Sequence, residues 1–589
     1  MKEASVPGKS RGGIRLLQLF YRHITFAKVI CLALLFSPLW GLWWFDKISE
    51  ANWVLQLFIA YPLWISIRAG VVYIPVCLVA FLGFVIVPFI RTSLVRVPLM
   101  LIMLIGWAFE LTILDLNGTL SNQNLFWVLW QERAMASEAV SAYSQNVIRD
   151  CVSVAILSIV LCAPPVRRFS VPGIFGLLPI AAGALVAGVL LYTKGGTQIF
   201  PIPFGTFSNA AMVLASAWNN ARTEATRRDV VIDNEGGINP IFDKIVVIMD
   251  ESVRGDYLTL NDPTYNTTPF LSATNHLINF GVASSGANCS VTSRTIFRFG
   301  MRQSDLPNGW RQGLNRPTFW EFAHKAGYKT VHIDAWYGSM SLGNGFSWAE
   351  KALIDSNISI VKTPAFLRDQ AVADRLLQAL KDDGPGFIYV DKLGPHFPYS
   401  DKFPPNFHTH PTPLMDTFWS VVAKLRLSSV GERDLADYPN AITWSVDEFF
   451  RRFLPAVDLR KTLIIYTSDH GQSLLLGRAT HCSTAPVPPG EAYVPLFAVT
   501  SAPEFEQRLE QGAAHGFGQF SHFEVFPTLL LAMGYDVGWV KKTYGPSLLE
   551  LPSPDKKFMI GSPDAQPIMI PWVAPASSKS TGGRRNARN

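Results

Sequence analysis

The first third of this chain is divided into apolar runs long enough to cross a lipid bilayer, and no feature restricts its fold more. A membrane helix needs about 20 largely apolar residues. Runs of that kind cover roughly 26–45, 71–90, 97–114, 148–163 and 171–192. The stretch 52–67 is apolar as well and reads either as a sixth span or as an interfacial helix. Charge separates these readings, because Lys and Arg collect on the cytoplasmic side of a membrane. Arg11, Arg15, Arg22 and Lys28 surround the start of the first run, Arg91 and Arg96 mark a second cytoplasmic turn, and Arg167 and Arg168 mark a third. Five spans satisfy all three marks and six break the alternation. The stretch 52–67 is therefore read as interfacial or as part of a long tilted approach.

This reading sets the organisation. Residues 1–25 form a cytoplasmic N-terminus, and 26–192 a membrane domain of about five helices with an external loop at 115–147. That loop contains an amphipathic stretch around Phe126–Glu132, whose plain alternative is a structural loop helix. The first run is not a cleavable signal peptide, since more spans follow it. Residues 193–240 read as a linker broken by Pro201 and Pro203, with a candidate interfacial helix at 206–228 near Trp218. Residues 241–560 form a catalytic domain on the far side of the membrane. Residues 561–589 form a basic polar tail of disordered character.

Composition supports the division. Hydrophobic residues make up 49% of the 589 and charged residues 16%, below the quarter usual in soluble proteins. The deficit lies in the first third. The net charge of +6 comes from cations flanking apolar runs and from the tail, without the aromatic interleaving of a nucleic-acid groove, so no nucleic-acid partner is expected. Cys31, Cys77, Cys151 and Cys162 lie in or beside apolar runs, where a thiol is usually a small buried hydrophobe. Only Cys289 and Cys482 fall in the soluble part, and the chain has no CxxC pair.

From 243 onward short apolar strands alternate with helical stretches. KIVVIM (244–249), YKTVHIDAW (328–336), GFIYVD (386–391) and TLIIYTSDH (462–470) are the strands, and 369–382 and 443–454 are helical. Continuous apolar strands separated by helices predict an α/β/α domain with a mainly parallel sheet. Ligands in such sheets bind at the carboxyl ends of the strands. Polar residues gather there: Asp250 and Glu251, Asp391, and Asp469 and His470.

Four elements combine into a candidate site. They are Asp250-Glu251, the hydroxyl-rich Cys289-Ser290-Val291-Thr292-Ser293-Arg294, Gly394-Pro395-His396, and Asp469-His470-Gly471 followed by His481. Each is weak alone: an acidic pair after a strand is usually a cap, and a single DHG is as often a turn. Together, carboxylates and imidazoles beside a hydroxyl suit zinc or another divalent ion. Such an ion lowers the pKa of the hydroxyl and neutralises a phosphoryl oxygen. A hydroxyl at a helix N-terminus also faces backbone N–H groups that stabilise anions.

The ordered segments VVIMDESVRGDYL, SVTSR, GPHFPY and YTSDHGQSL resemble the motifs of the alkaline phosphatase/sulfatase superfamily. With a multi-span domain in front, the chain resembles the membrane-bound phosphoethanolamine transferases of the lipid A type, and more distantly lipoteichoic acid synthases. The resemblance covers roughly 20–550. It implies Glu251, Asp469, His470 and Ser290 as ligands of Zn2+, with Asp250 as a further candidate, since sulfatases carry an acid pair there. It implies Ser290 as nucleophile and His396 and His481 as groups that contact the phosphoryl, leaving or accepting group. It further implies phosphatidylethanolamine as donor, a lipid A or glycan acceptor, and a bacterial inner membrane with the catalytic domain in the periplasm.

Three departures keep alternatives open. Ser290-Val291-Thr292-Ser293-Arg294, with Gly300 beyond, also matches the sulfatase pattern C/S-x-P-S-R, in which the first residue becomes formylglycine supported by the arginine, except that Thr292 replaces the usual proline. A membrane-anchored sulfatase or phosphodiesterase is thus the rival reading, and Thr292 is a reserve nucleophile. The loop stretch Phe126–Glu132 matches the family loosely, and most of the disulfides usual in those transferases are missing. Cys289 and Cys482 adjoin Ser290 and His481. If those two residues converge, the sulfurs come close enough to bridge in an oxidising compartment; otherwise they are two unpaired small residues. A degenerate member acting as a scaffold is the non-enzymatic alternative.

Overall fold

The computed structural model describes residues 23–35, 78–117, 121, 125–126, 129–130, 144–192, 204–223, 237–337, 343–411, 432–475, 480–483, 487–561, 563 and 567–575. The apolar stretch 52–67, Cys77, most of the loop 115–147 and the end of the tail lie outside these. The chain divides into two compact units: Met1–Phe126 with Tyr143–Trp218, and Trp127–Ala142 with Asn219–Asn589.

The first unit is helical. Its described helices are α1 (His23–Leu35), α2 (Leu78–Phe89), α3 (Ser93–Asn117), α4 (Ser144–Cys162), α5 (Leu177–Tyr192) and α6 (Phe204–Thr223). Each of the five apolar runs thus carries a helix. Among the described residues, one stretch, Ser93–Ile113, is long and apolar enough to cross a membrane, with shorter apolar helices at His23–Leu35, Leu78–Phe89, Gly173–Gly188 and Thr206–Ala215. Two cations taken above as flanking charges prove to be buried and bound. Lys28 Nζ donates to the carbonyls of Pro88, Leu161 and Ala163 at 2.6–3.0 Å. Arg96 donates to Cys162 O, Ile90 O and Arg91 O. Both satisfy carbonyls that helix C-termini leave without partners. The stretch expected to hold an interfacial helix is α6, whose Phe204 joins the apolar core of this unit.

The second unit is built on a seven-stranded sheet in the order β2-β7-β6-β1-β5-β3-β4. Its strands are β1 (Lys244–Asp250), β2 (Leu277–Ser284), β3 (Lys329–Asp334), β4 (Ser356–Ser359), β5 (Gly386–Asp391), β6 (Thr462–Ser468) and β7 (Tyr493–Val499). All neighbours from β6 to β4 are parallel, and β7 runs against both β6 and β2. A small hairpin, β8 (Lys557–Ile560) with β9 (Ile568–Pro571), stands apart. The central strands β1, β5 and β6 are buried at every residue, as expected of strands covered on both faces. Two of the covering helices matter below: α7 (Ser290–Arg298) and α8 (Ala365–Lys381).

Register puts the polar ends side by side. Asp250 lies opposite Ser468, Met249 opposite Asp391, and Asp334 opposite Asp391. The close fit of these ends needs one glycine. Gly394 adopts φ +58, and a Cβ there would sit 2.4 Å from both Asp250 Oδ1 and the Glu251 carbonyl. Replacing it with alanine adds a backbone strain of about 1–3 kcal/mol to that overlap. Gly394→Ala is therefore expected to lose at least about 2 kcal/mol of stability, read as a lower urea midpoint with an unchanged slope.

Candidate functional site

The chain leaves β1 through Glu251 and then Ser252, which takes a left-handed φ of 63. That turn aims the Ser252 N–H at Asp469 Oδ1 (3.2 Å) and its hydroxyl at Glu251 Oε1 (2.8 Å). The end of β1 is thereby tied to the end of β6. Among the described residues, Glu251, Asp469 and His470 offer ligand atoms that all lie within 4.8 Å of one another. His470 Nδ1 is 2.7 Å from the Gly471 carbonyl. A carbonyl only accepts, so Nδ1 carries the proton and Nε2 presents its lone pair. Nε2 stands 3.4 Å from Glu251 Oε1 and 3.7 Å from Asp469 Oδ2.

Ser290 is the first residue of α7, and its hydroxyl donates to that same Nε2 at 3.1 Å. Helical spacing puts residue i+4 on the face of residue i. Arg294 accordingly reaches the same cluster: Nε donates to Asp469 Oδ2 (3.1 Å), one terminal nitrogen to Glu251 Oε2 (2.9 Å) and the other to Asp391 Oδ1. Asp391 also faces His332 Nε2 at 3.0 Å. Thr292, two residues on from Ser290, is buried on another face of α7. Two oxygen donors, one imidazole nitrogen and a hydroxyl suit a zinc-like divalent ion. Glu251, Asp469 and His470 could hold one, with the Ser290 hydroxyl beside them.

Electrostatics agrees with that fit. Burial, and next the negative charge of Asp469, push the Glu251 pKa well above the usual range. Burial would raise Asp469 too, but His470 and Arg294 outweigh it and hold this carboxylate low. Burial opposes the charge on Arg294, yet Asp391, Asp469 and Glu251 keep it protonated. Burial lowers the His470 pKa, which favours the neutral form a ligand needs. Three carboxylates and one guanidinium leave a formal deficit of two positive charges.

Of the other anticipated residues, His481 and His396 lie beside this centre. His481 stacks on His470 with ring centroids 4.3 Å apart, and His396 lies 5.9 Å from His481. Both are half-buried, and burial lowers both pKa values, followed by the positive charge of Lys402 for His396 and by His470 for His481. Asp250 lies outside the ligand group. Its Oδ1 accepts the Glu251 N–H, and its Oδ2 accepts from Tyr466 (2.8 Å) and from Lys392. Cys289 and Cys482 form a disulfide with Cα atoms 4.9 Å apart.

Residues 243–535 match the sulfatase family model. This is a sulfatase-family domain. A curated relative, Kdo(2)-lipid A phosphoethanolamine 7''-transferase of Escherichia coli (strain K12), is 22% identical over 309 residues, 49% of this chain. The chain spans about half the length of that relative, 51%. The integral membrane protein lipooligosaccharide phosphoethanolamine transferase A from Neisseria meningitidis shares the fold at a TM-score of 0.55 and 16% identity, over 91% of this chain and 99% of its own. The C-terminal periplasmic domain of EcEptC from Escherichia coli, in complex with Zn, aligns at 0.43 and 17% identity, over 58% and 94%.

Several residues of the sulfatase-family domain carried no sequence signal. Asp369 on α8 accepts the N–H groups of Leu393 (2.9 Å) and Gly394 (3.0 Å), fixing the turn that bears His396. His522 lies under α7. The Gly286 N–H donates to its Nδ1 at 3.2 Å, so Nε2 carries the proton and donates to Thr467 Oγ1 at 3.1 Å. Burial pushes its pKa down to about 4. The unfolded chain then binds this proton and the fold does not, so its contribution is full above about 6.5 and falls as pH drops toward 4. The loss reaches roughly 3 kcal/mol below pH 4, relative to neutral pH. Urea unfolding of wild type and His522→Phe at pH 7 and pH 4.5 reads it: the wild-type stability should fall more steeply with acid than that of the variant.

Proposed function

We propose that the chain is a membrane-bound transferase that moves phosphoethanolamine, or a similar phospho-substituent, from a phospholipid to a lipid A or glycan acceptor. The observation that carries this is Ser290 Oγ, 3.1 Å from His470 Nε2 at a helix N-terminus beside Glu251 and Asp469. When bound, a divalent ion held by Glu251, Asp469, His470 and Ser290 supplies a lowered hydroxyl pKa and neutralises phosphoryl charge; zinc fits this donor set.

Ser290 Oγ attacks the donor phosphorus, forming an Oγ–P bond as the bond from phosphorus to the glycerol oxygen breaks. The free N–H groups at the start of α7 face the charge that develops on the phosphoryl oxygens. His396 and His481, held neutral, are suited as bases that relay protons: the proton leaving Ser290 Oγ passes to the glycerol oxygen, and the proton of the acceptor hydroxyl returns to Ser290. The acceptor oxygen then attacks phosphorus, and the Oγ–P bond breaks to restore Ser290. Covalent catalysis divides one transfer into two easier steps.

An unmodified Ser290 is favoured because the Arg294 guanidinium is fully occupied by three carboxylates; a role in supporting residue 290 would leave those charges unpaired. A bacterial inner membrane with the catalytic domain in the periplasm accounts for two further features. The Cys289–Cys482 bridge fits an oxidising compartment. The first unit exposes Leu94, Ile105, Ile156, Ile159 and Ile180 on its helices, an apolar exterior suited to lipid. Phosphatidylethanolamine is the donor this reading names.

The test is intact mass of the purified protein before and after incubation with phosphatidylethanolamine, followed by peptide mapping. Wild type should gain one phosphoethanolamine on Ser290, and Ser290→Ala should gain none while folding normally. A formylglycine at 290 with no adduct would transfer the chain to the sulfatases.

A further inference from the structure

Two loops must meet for Ser290 and His481 to share a site, and their cysteines, Cys289 and Cys482, are 193 residues apart in the chain. The structure joins them through Glu491, in the turn Pro489–Ala492 just before β7. Its carboxylate is fully buried and has three donors. Oε2 accepts from Asn288 Nδ2 (2.9 Å) and from the Ser483 N–H (3.1 Å), and Oε1 accepts from Ser483 Oγ (2.5 Å). Asn288 stands two residues before Ser290, and Ser483 two residues after His481. The same amide of Asn288 donates to Ser483 O at 2.9 Å, and the Cys482 N–H donates to Asn288 O at 3.0 Å. The disulfide Cys289–Cys482 lies between these contacts. The Glu491 backbone carbonyl also accepts the Gly471 N–H at 2.8 Å, next to His470.

We propose that Glu491 is a positioning residue: it clamps the start of α7, which presents Ser290, to the segment 480–483, which presents His481, and so preorganises the Cys289–Cys482 bridge. Its part in transfer rests on the phosphotransfer reading above; the clamp itself does not. Burial pushes its pKa up to about 7, with Ser483 and Asn288 pulling against the rise. Both protonation states preserve the clamp. A protonated Oε1 donates to Ser483 Oγ, whose hydroxyl turns from donor to acceptor. A glutamine amide makes the same exchange, with its carbonyl in the place of Oε2. Glutamine is thus the conservative substitution, and alanine removes all three bonds.

Two thiols close to a bridge in proportion to their effective concentration, and this gives a readout independent of activity. The full-length protein is equilibrated in reduced and oxidised dithiothreitol, quenched by alkylation, and the Cys289 and Cys482 peptides are counted by mass. Glu491→Ala should shift the equilibrium toward thiols by about tenfold, and Glu491→Gln by no more than about twofold. Val540→Ala, a core change in the helix Val537–Tyr544, controls for general destabilisation and should leave the equilibrium unmoved. An unmoved Glu491→Ala equilibrium, or an equal shift in Val540→Ala, overturns the clamp. In the transfer assay Glu491→Ala should lower kcat with KM for the donor held, and Glu491→Gln should recover it. A shifted Glu491→Ala equilibrium, together with a wild-type protein that transfers nothing, supports the clamp and removes the reaction.

Discussion

Arg294 sets one positive charge among three carboxylates that the sheet delivers to the same place. The carboxyl ends of parallel strands lie along one edge of the sheet, so the neighbouring strands β1, β5 and β6 bring Glu251, Asp391 and Asp469 together as a consequence of strand order. Burying such charges unpaired costs several kcal/mol each. A guanidinium presents a rigid fork of donors and stays protonated, and here each of its three nitrogens takes one carboxylate. Because Arg294 and Ser290 are one helical turn apart, the same interaction fixes where the hydroxyl stands. The deficit of two charges that remains matches one divalent ion. A second ionic group, Lys392 with Asp250 and Asp369, lies behind the first and keeps the β1 and β5 ends in register.

Around this centre the loops are held by local devices. Ser252 bends the chain out of β1 in a left-handed conformation and ties Asp469 to it. Gly394 allows the turn bearing His396 to press against Asp250 and Glu251, and Asp369 fixes that turn. The disulfide and Glu491 do the same for Ser290 and His481. A strained serine at the ligand cluster fits the general finding that unfavourable backbone conformations persist where the surroundings determine them.

Much of the sheet was legible because β1, β3, β5 and β6 are continuous apolar runs ending in acids. The strands that escaped notice lack that pattern. β2 is interrupted by a bulge around Gly281, β7 carries Pro495, and β4 is the short polar SNIS. The candidate ligands could be named because their residue types and order were informative. Their mutual arrangement could not, since it depends on strand order. Arg294 shows this: the resemblance attached it to residue 290, whereas its targets sit on three strands that only the fold makes adjacent. Glu491 and Asn288 are 203 residues apart, and no spacing rule links them. In the first unit, the charge pattern did not show the role of Lys28 and Arg96, which bind carbonyls distant in sequence such as Leu161 and Cys162.

Metal stoichiometry of the full-length protein, by mass spectrometry of the bound elements, tests the Arg294-centred account most directly. The account predicts one divalent ion per chain, lost in Asp469→Asn. A wild-type protein that binds two ions per chain, or none after equilibration with zinc, would contradict the charge balance on which the site is built.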